Sequence, residues 1–221
     1  AIESAGYFDQ IRSQAMSRLL NILGDPYTGR SDLRDLSARG DQVRLFEARK
    51  PLLDFLGIRY VVSGYQLDEQ TFPKVFQTVL PGTDAPLAIY ENPTAKPLAY
   101  FVPEVKFIEG GEPAVFRRFQ EQRFSGVFIG CRGACSESPR LYERGSAETI
   151  ESGNGWFNIK TRSAATGFLV VSQNHLPGWQ ALLDGREVPI ETVNTVYLGI
   201  EVPAGEHELI LRYRYPCPPS R

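Results

Sequence analysis

Two histidines are the residues of this sequence best suited to acid–base catalysis near neutral pH, but neither lies in a catalytic motif. His175 lies in the turn-like segment Gln173-Asn174-His175-Leu176-Pro177, and His207 begins a predicted strand after Ala204-Gly205. A hydrolase triad would have to use one of them, yet the chain has no Gly-x-Ser-x-Gly elbow and no His-Glu-x-x-His motif. We therefore expect His175 at the surface and His207 in structural hydrogen bonds.

Carboxylates are numerous in the last third of the chain, and a glycosidase needs two of them across a cleft. Most of these carboxylates fall in turns or at polar positions of predicted strands, where solvated sheet edges are the simpler interpretation. The residues concerned are Asp184, Glu187, Glu191, Glu201, Glu206 and Glu208. We expect no catalytic residue in this chain and no enzymatic activity of its own.

The cysteines allow a small disulfide loop but no metal site. Cys131 and Cys135 are separated by Arg132-Gly133-Ala134, and this spacing is compatible with either a bridge or two free thiols. Zinc is not expected, because only these two cysteines are close in sequence and both histidines lie far along the chain. The sequence predicts no metal ion and no cofactor.

Large aromatic residues are the features that could form a binding surface. Trp156, Trp179 and Tyr197 lie among the predicted strands of the last third, and flat aromatic rings can stack on sugars. The alternative is that these rings pack in the core or against turns, which is the commoner position of large aromatic side chains. Trp179 follows Pro177-Gly178, and this position predicts contact with a tight turn.

The composition is that of an ordinary globular chain. Of its 221 residues 42% are hydrophobic, and 24 basic residues nearly balance 26 acidic ones. This balance gives no indication of nucleic-acid binding, and no apolar run approaches the ~18 residues that span a bilayer.

The elements that must position these residues change in type along the chain. Helical spacing of apolar residues predicts helices over about 7–22 and 42–56, and a strand follows at 58–62. Further strands are predicted at 87–90 and 98–102, and a helix at 112–122. Strand-length segments then follow at 156–160, 167–172, 179–183, 196–202 and 206–213. Asp184-Gly185 predicts a hairpin turn, since a type I′ turn needs positive φ at both central residues.

These elements predict an α+β fold with a mixed, partly helical N-terminal part followed by an antiparallel, jelly-roll-like β-sandwich. The predicted limits are 1–130 for the mixed part, 131–146 for a loop or linker, 147–215 for the sandwich and 216–221 for a disordered tail.

Several sequence blocks resemble the YfhO family of bacterial multi-pass membrane proteins. In the last third the similar blocks are Gly167-Phe168-Leu169-Val170-Val171-Ser172, Leu176-Pro177-Gly178-Trp179-Gln180-Ala181, Asp184-Gly185, Val193-Asn194, Val202-Pro203-Ala204-Gly205-Glu206-His207 and Leu211-Arg212-Tyr213. A looser likeness covers 52–62, 89–93 and 97–102. The first fifty residues match weakly, and the Cys131–Cys135 loop is not part of the pattern.

The resemblance implies a place on the extracytoplasmic face of the bacterial membrane, as part of a membrane protein similar to the C-type glycosyltransferases. The membrane-embedded remainder of the same protein would be a partner, and a cell-envelope glycan or lipid-linked sugar could be another. Only the turn residues Pro177, Gly178, Trp179, Asp184 and Gly185 carry over, as positions that define the fold. An extracytoplasmic location would also favour the Cys131–Cys135 bridge.

Three functions remain open at this point. The chain could be a non-catalytic accessory domain that positions an acceptor or partner, a carbohydrate-binding module that uses exposed aromatic rings, or a purely structural domain.

Overall fold

The computed structural model of this chain describes residues 16–18, 43, 44, 46–82, 84–131, 133, 135 and 138–214. Among the described residues, those from Ser17 to Lys96 form one compact unit, and Met16 together with those from Pro97 onward forms a second. The predicted loop or linker at 131–146 does not coincide with this division. Apart from the helical residues 16–18, the predicted helix at 7–22 lies outside the described residues, as does the predicted tail at 216–221.

The first unit contains a short helix and a three-stranded antiparallel sheet. Helix α1 comprises Lys50–Phe55, and the strands are β1 (Tyr60–Ser63), β2 (Lys74–Val79) and β3 (Pro86–Glu91), in the order β1-β3-β2. Residues 43, 44, 46 and 47 are also helical, so the helix predicted at 42–56 is interrupted by a turn before Lys50. The core of this unit consists of buried apolar side chains, namely Leu53, Leu67, Phe72, Ala88 and Tyr90.

The described residues of the second unit form twelve strands in two sheets. The strands are β4 (Ala99–Val102), β5 (Glu104–Glu109), β6 (Phe128–Cys131), β7 (Arg140–Leu141), β8 (Gly145–Gly153), β9 (Trp156–Ser163), β10 (Gly167–Asn174), β11 (Trp179–Leu183), β12 (Arg186–Val188), β13 (Glu191–Val193), β14 (Tyr197–Val202) and β15 (Gly205–Tyr213). One sheet has the order β4-β10-β14-β13-β6-β5-β7, and the other has the order β12-β11-β15-β9-β8. The predicted linker at 131–146 lies within this unit and already includes β7 and the start of β8.

Most neighbouring strands in the two sheets are antiparallel, but β5 and β6 are parallel. Helix α2 (Gly111–Glu121) connects them, as a crossover between parallel strands requires, and it agrees within one residue with the helix predicted at 112–122. The predicted β-rich, sandwich-like character is therefore confirmed, while a jelly-roll connectivity is not confirmed.

The core of the second unit lies between its two sheets. Leu169, Val171 and Leu198 contribute to it from one sheet, and Ile159 and Leu209 contribute from the other. Each of these side chains is fully buried, which stabilises the folded state by about 1.5–3 kcal/mol per large side chain relative to exposure. Because strand residues alternate between faces, this core also determines which side chains point outward.

A buried polar network connects α1 to the turn after β3 in the first unit. Asn92 is fully buried, and its Nδ2 donates to Asp54 Oδ1 at 2.8 Å and to the Ile58 carbonyl at 3.0 Å. Lys50 Nζ donates to Asp54 Oδ1 at 2.9 Å, to Asn92 Oδ1 at 2.9 Å and to Thr94 Oγ1. Nearly every polar atom that this junction buries is thereby satisfied, which is the condition for burying it without a large cost.

This network predicts that Asn92→Ala destabilises the first unit by about 2–3 kcal/mol, because the Lys50 and Asp54 groups lose buried partners. The control is Glu91→Ala, which removes a surface ion pair with Arg59, at 3.3 Å and with the Arg59 side chain 67% exposed; it should cost less than about 1 kcal/mol. Both tryptophans lie in the second unit, so the measurement is hydrogen exchange by mass spectrometry in peptides covering α1 and β3. Equal loss of protection in the two variants would contradict a structural function of the network.

Candidate functional site

Trp156 is the exposed ring among the three aromatic residues that the sequence singled out. It begins β9 on the outer face of the five-stranded sheet, with 37% of its surface exposed. Gly153 of β8 lies directly opposite in register, and a Cβ atom at Gly153 would overlap with the indole Nε1. Because Gly153 has no side chain, the indole lies across β8.

The row of side chains that contains Trp156 crosses four strands. Gly153, Trp156, Arg212 and Gln180 are paired in register across β8, β9, β15 and β11. Side chains directly opposite one another in antiparallel strands share a face and are close neighbours. We name this set the tryptophan row.

Trp179 and Tyr197 are placed differently from Trp156. The Trp179 ring packs between Phe157 at 5.8 Å and Tyr213 at 5.3 Å between ring centroids, and its Nε1 donates to the Asn174 carbonyl at 3.1 Å. Tyr197 is only 2% exposed, and its burial raises the pKa of its phenol. The structure therefore does not bring the three predicted sugar-binding residues together on one surface.

The turn residues that the sequence identified lie at two tight turns of the five-stranded sheet. Gly178 has φ of 115°, and a side chain there would overlap with the Arg214 carbonyl oxygen. Asp184 and Gly185 have φ of 50° and 78° and connect β11 to β12, as a type I′ hairpin requires.

His207 connects the Asp184-Gly185 turn to the turn that precedes β15. Its Nδ1 lies 2.6 Å from Asp184 Oδ2, and its Nε2 lies 3.2 Å from the Ala204 carbonyl oxygen. Both partners are acceptors, so the ring satisfies them together only when both of its nitrogens carry protons. The hydrogen bond with Asp184 raises the pKa of His207 and lowers the pKa of Asp184. This arrangement fixes two turns, in line with the structural function expected for His207.

His175 is partly buried rather than fully at the surface. Its Nδ1 lies 2.6 Å from Thr192 Oγ1, and its backbone N–H donates to the Val196 carbonyl at 2.6 Å. Burial lowers the pKa of this imidazole, since it disfavours the charged form. The contacts of His175 hold the end of β10 against β13 and the turn before β14.

Cys131 and Cys135 are joined by a disulfide at the end of β6, with 6.3 Å between their Cα atoms. The bridge closes the small loop that the spacing allowed. Within the described residues, no group of three or more histidine, cysteine or acidic side chains is arranged to hold a metal ion. None of the described helices is long and apolar enough to cross a membrane.

Three members of the tryptophan row, Gly153, Arg212 and Gln180, were not predicted from the sequence. The pair Asn154-Gly155 could have indicated the position of Gly153, because Asn-Gly between two strands predicts a hairpin. Gly155 indeed has φ of 76° in the turn between β8 and β9. No comparable local signal exists for Arg212, which is 56 positions from Trp156 in sequence and adjacent to it only through the pairing of β9 with β15.

Comparison of this chain with protein-family models, with curated proteins and with solved structures found no match.

The two histidines should affect stability with opposite dependence on pH. The pKa of His207 is raised by folding, so its contribution is complete below the unfolded-state pKa of ~6.5 and is lost as pH rises through the folded value. His207→Gln should therefore destabilise the chain more at pH 5.5 than at pH 9. The pKa of His175 is lowered by folding, so its contribution is lost as pH falls, and His175→Gln should destabilise the chain more at pH 9.

The measurement is urea unfolding of both variants and of the unaltered chain at the two pH values, followed by tryptophan fluorescence. If His207→Gln lowered the free energy of unfolding equally at both pH values, or more at pH 9, His207 would not be doubly protonated in the folded chain.

Proposed function

We propose that this chain is a non-catalytic accessory domain on the extracytoplasmic face of a YfhO-type membrane protein, and that it docks on the membrane-embedded remainder of that protein. The observation that carries the proposal is an exposed apolar face on the three-stranded sheet of the first unit. The resemblance of the sequence blocks to the YfhO family supports the identity of the partner.

The apolar face consists of Tyr60, Val62, Ile89 and Phe76. Val62, Ile89 and Phe76 are directly opposite one another across β1, β3 and β2, and Tyr60 lies two residues before Val62 on the same side. Val62 is 57% exposed, Phe76 is 55% exposed and Tyr60 is 43% exposed. The neighbouring residues Ala88 and Tyr90 point to the core, so the apolar face is the outer side of the sheet.

Contiguous apolar surface of this kind is typical of interaction sites rather than of free protein surface. The edge strand β2 itself contains two more exposed apolar residues, Val75 and Val79, and the exposed Leu80 follows it. An outer strand rich in such residues is normally protected by charge or covered by a partner, which favours a covered surface over a purely structural domain that faces solvent.

A second candidate function is glycan binding, and a different observation favours it. Trp156 presents its ring on the outer face of the five-stranded sheet beside the polar residues Arg212 and Gln180. An aromatic surface with a few adjacent polar groups that fix orientation is the usual composition of a small-molecule site. The two functions use different units and do not exclude each other.

Docking of the apolar face predicts that a cysteine at position 76 changes its reactivity with context. In a Cys217→Ser background, Phe76→Cys should react quickly with a maleimide in the isolated chain and much more slowly in membranes that contain the complete protein. The reason is that a docked interface excludes water and reagent from its centre.

Glu148→Cys serves as the matched control, because Glu148 is exposed on the other unit, on the outer face of β8. It should react at similar rates in both preparations. Fast labelling of position 76 in the complete protein would overturn the docking proposal.

A further inference from the structure

We propose that the tryptophan row binds an anionic sugar residue, whose ring stacks on Trp156 and whose carboxylate or phosphate pairs with Arg212. This inference rests on the glycan-binding candidate above and goes beyond it by naming the chemical class of the ligand.

The position of the indole supports the stacking half of the proposal. The ring lies over Gly153, where any larger residue would displace it, and 37% of the residue remains exposed. The indole is therefore held over the backbone of β8 and remains partly exposed to solvent. A ring held in this way loses little conformational freedom when a ligand stacks on it, which favours binding.

The charge pattern of the outer face distinguishes the tryptophan row from the two rows of the same face that contain other basic residues. In the row at the far end, Arg162 pairs with Glu206 at 3.4 Å. In the next row, Lys160 stands in register with Glu208 on one side and with Glu148 on the other. The basic residues of these rows thus face acidic neighbours on the same surface.

Arg212 differs because its own row contains no acidic residue. Its neighbours in register are Trp156 on one side and Gln180 on the other. Within the described part of the chain, the exposed Arg212 side chain forms no ion pair, no hydrogen bond and no contact over an aromatic ring. The guanidinium is therefore available to an external anion, and its planar donors match a carboxylate or a phosphate.

The two groups are at a separation that a single sugar residue can span. Directly opposite residues of antiparallel strands have Cβ atoms about 4.5–5.5 Å apart. The indole extends over β8 and Arg212 belongs to β15, on the other side of β9. A pyranose that stacks on the indole and extends toward β15 brings its acidic substituent within reach of the long Arg212 side chain. Gln180, on the far side of Arg212, adds a neutral hydrogen-bonding group for the same ligand. A uronic acid and a sugar phosphate share this chemistry.

The test is a fluorescence titration of the whole chain with four probes: trigalacturonic acid, its uncharged counterpart galactotriose, galactose 6-phosphate and inorganic phosphate. Trigalacturonic acid or galactose 6-phosphate should give a saturable change, and whichever binds identifies the acidic group. Arg212→Gln should weaken binding of that probe by about tenfold, the loss typical of one charge-assisted hydrogen bond. It should leave binding of galactotriose unchanged.

Three further variants test the stacking surface and the specificity for Arg212. Trp156→Ala should remove the response, and Gly153→Val should weaken binding while retaining the tryptophan, because the valine displaces the indole. Arg162→Gln is the matched control, since its guanidinium is already paired with Glu206, and it should bind as the unaltered chain does. Circular dichroism checks that each variant is folded.

Two results would overturn the inference but leave the glycan-binding candidate standing: equal affinity for trigalacturonic acid and galactotriose, or binding unaffected by Arg212→Gln. Binding of inorganic phosphate as strongly as of the sugars would also overturn it, because it would show a general anion site. No response to any sugar would overturn both the inference and the candidate, while the docking of the apolar face would be unaffected.

Discussion

The packing of the two sheets of the second unit on each other is the constraint on which the rest of that unit depends. Leu169 and Leu198 from one sheet and Leu209 and Leu211 from the other are completely buried between them. A strand that places Ile159 in this core must direct its alternate residues, Trp156 among them, to the opposite face. The exposure of the tryptophan row is therefore a consequence of the core, because a shift of register by one residue would bury Trp156 and expose Ile159.

The same reasoning connects core and surface in the first unit. Ala88 and Tyr90 of β3 point inward, which directs Ile89 outward between Val62 and Phe76. The network around Asn92 fixes where β3 ends by attaching the following turn to α1. A polar network centred on the buried Asn92 thus positions an apolar surface that is largely exposed, and a docking function explains this exposure.

Several polar side chains of the second unit hold turns in place. His207 and Asp184 join two turns at one end of the five-stranded sheet, and Asn194 attaches the β13–β14 turn to the start of β6 through bonds to Phe128 and Gly126. Several of these residues fall in the sequence blocks that resemble the YfhO family. In physical terms, such blocks can be similar between proteins because they fix turns.

Local patterns predicted those parts of the structure that depend on local geometry. The Asp184-Gly185 turn, helix α2 and half of the twelve described strands of the second unit followed from residue types within a few positions of one another. Strand β2 was missed, although Lys74–Val79 is rich in β-forming residues. Tyr197 was considered for a surface, but β14 lies between β10 and β13 and is buried almost throughout, and such strands lack the alternation that separates inner from outer residues.

The parts that depend on pairing between distant strands could not be predicted from one sequence. The parallel pairing of β5 with β6 is set by the packing of the whole sheet. The antiparallel register that places Trp156 opposite Arg212 is set in the same way in the other sheet. The division at Lys96 has no local sequence signal, because β4 joins the sheet of the second unit through β10 and not through its neighbour in sequence.

A cryo-EM structure of the complete protein to which this chain is proposed to belong tests the proposed docking most directly. We expect Tyr60, Val62 and Phe76 to be covered by residues from outside this chain, while the tryptophan row faces an open space that a glycan can enter. An apolar face that remained in contact with solvent, with the domain attached through other surfaces, would contradict it.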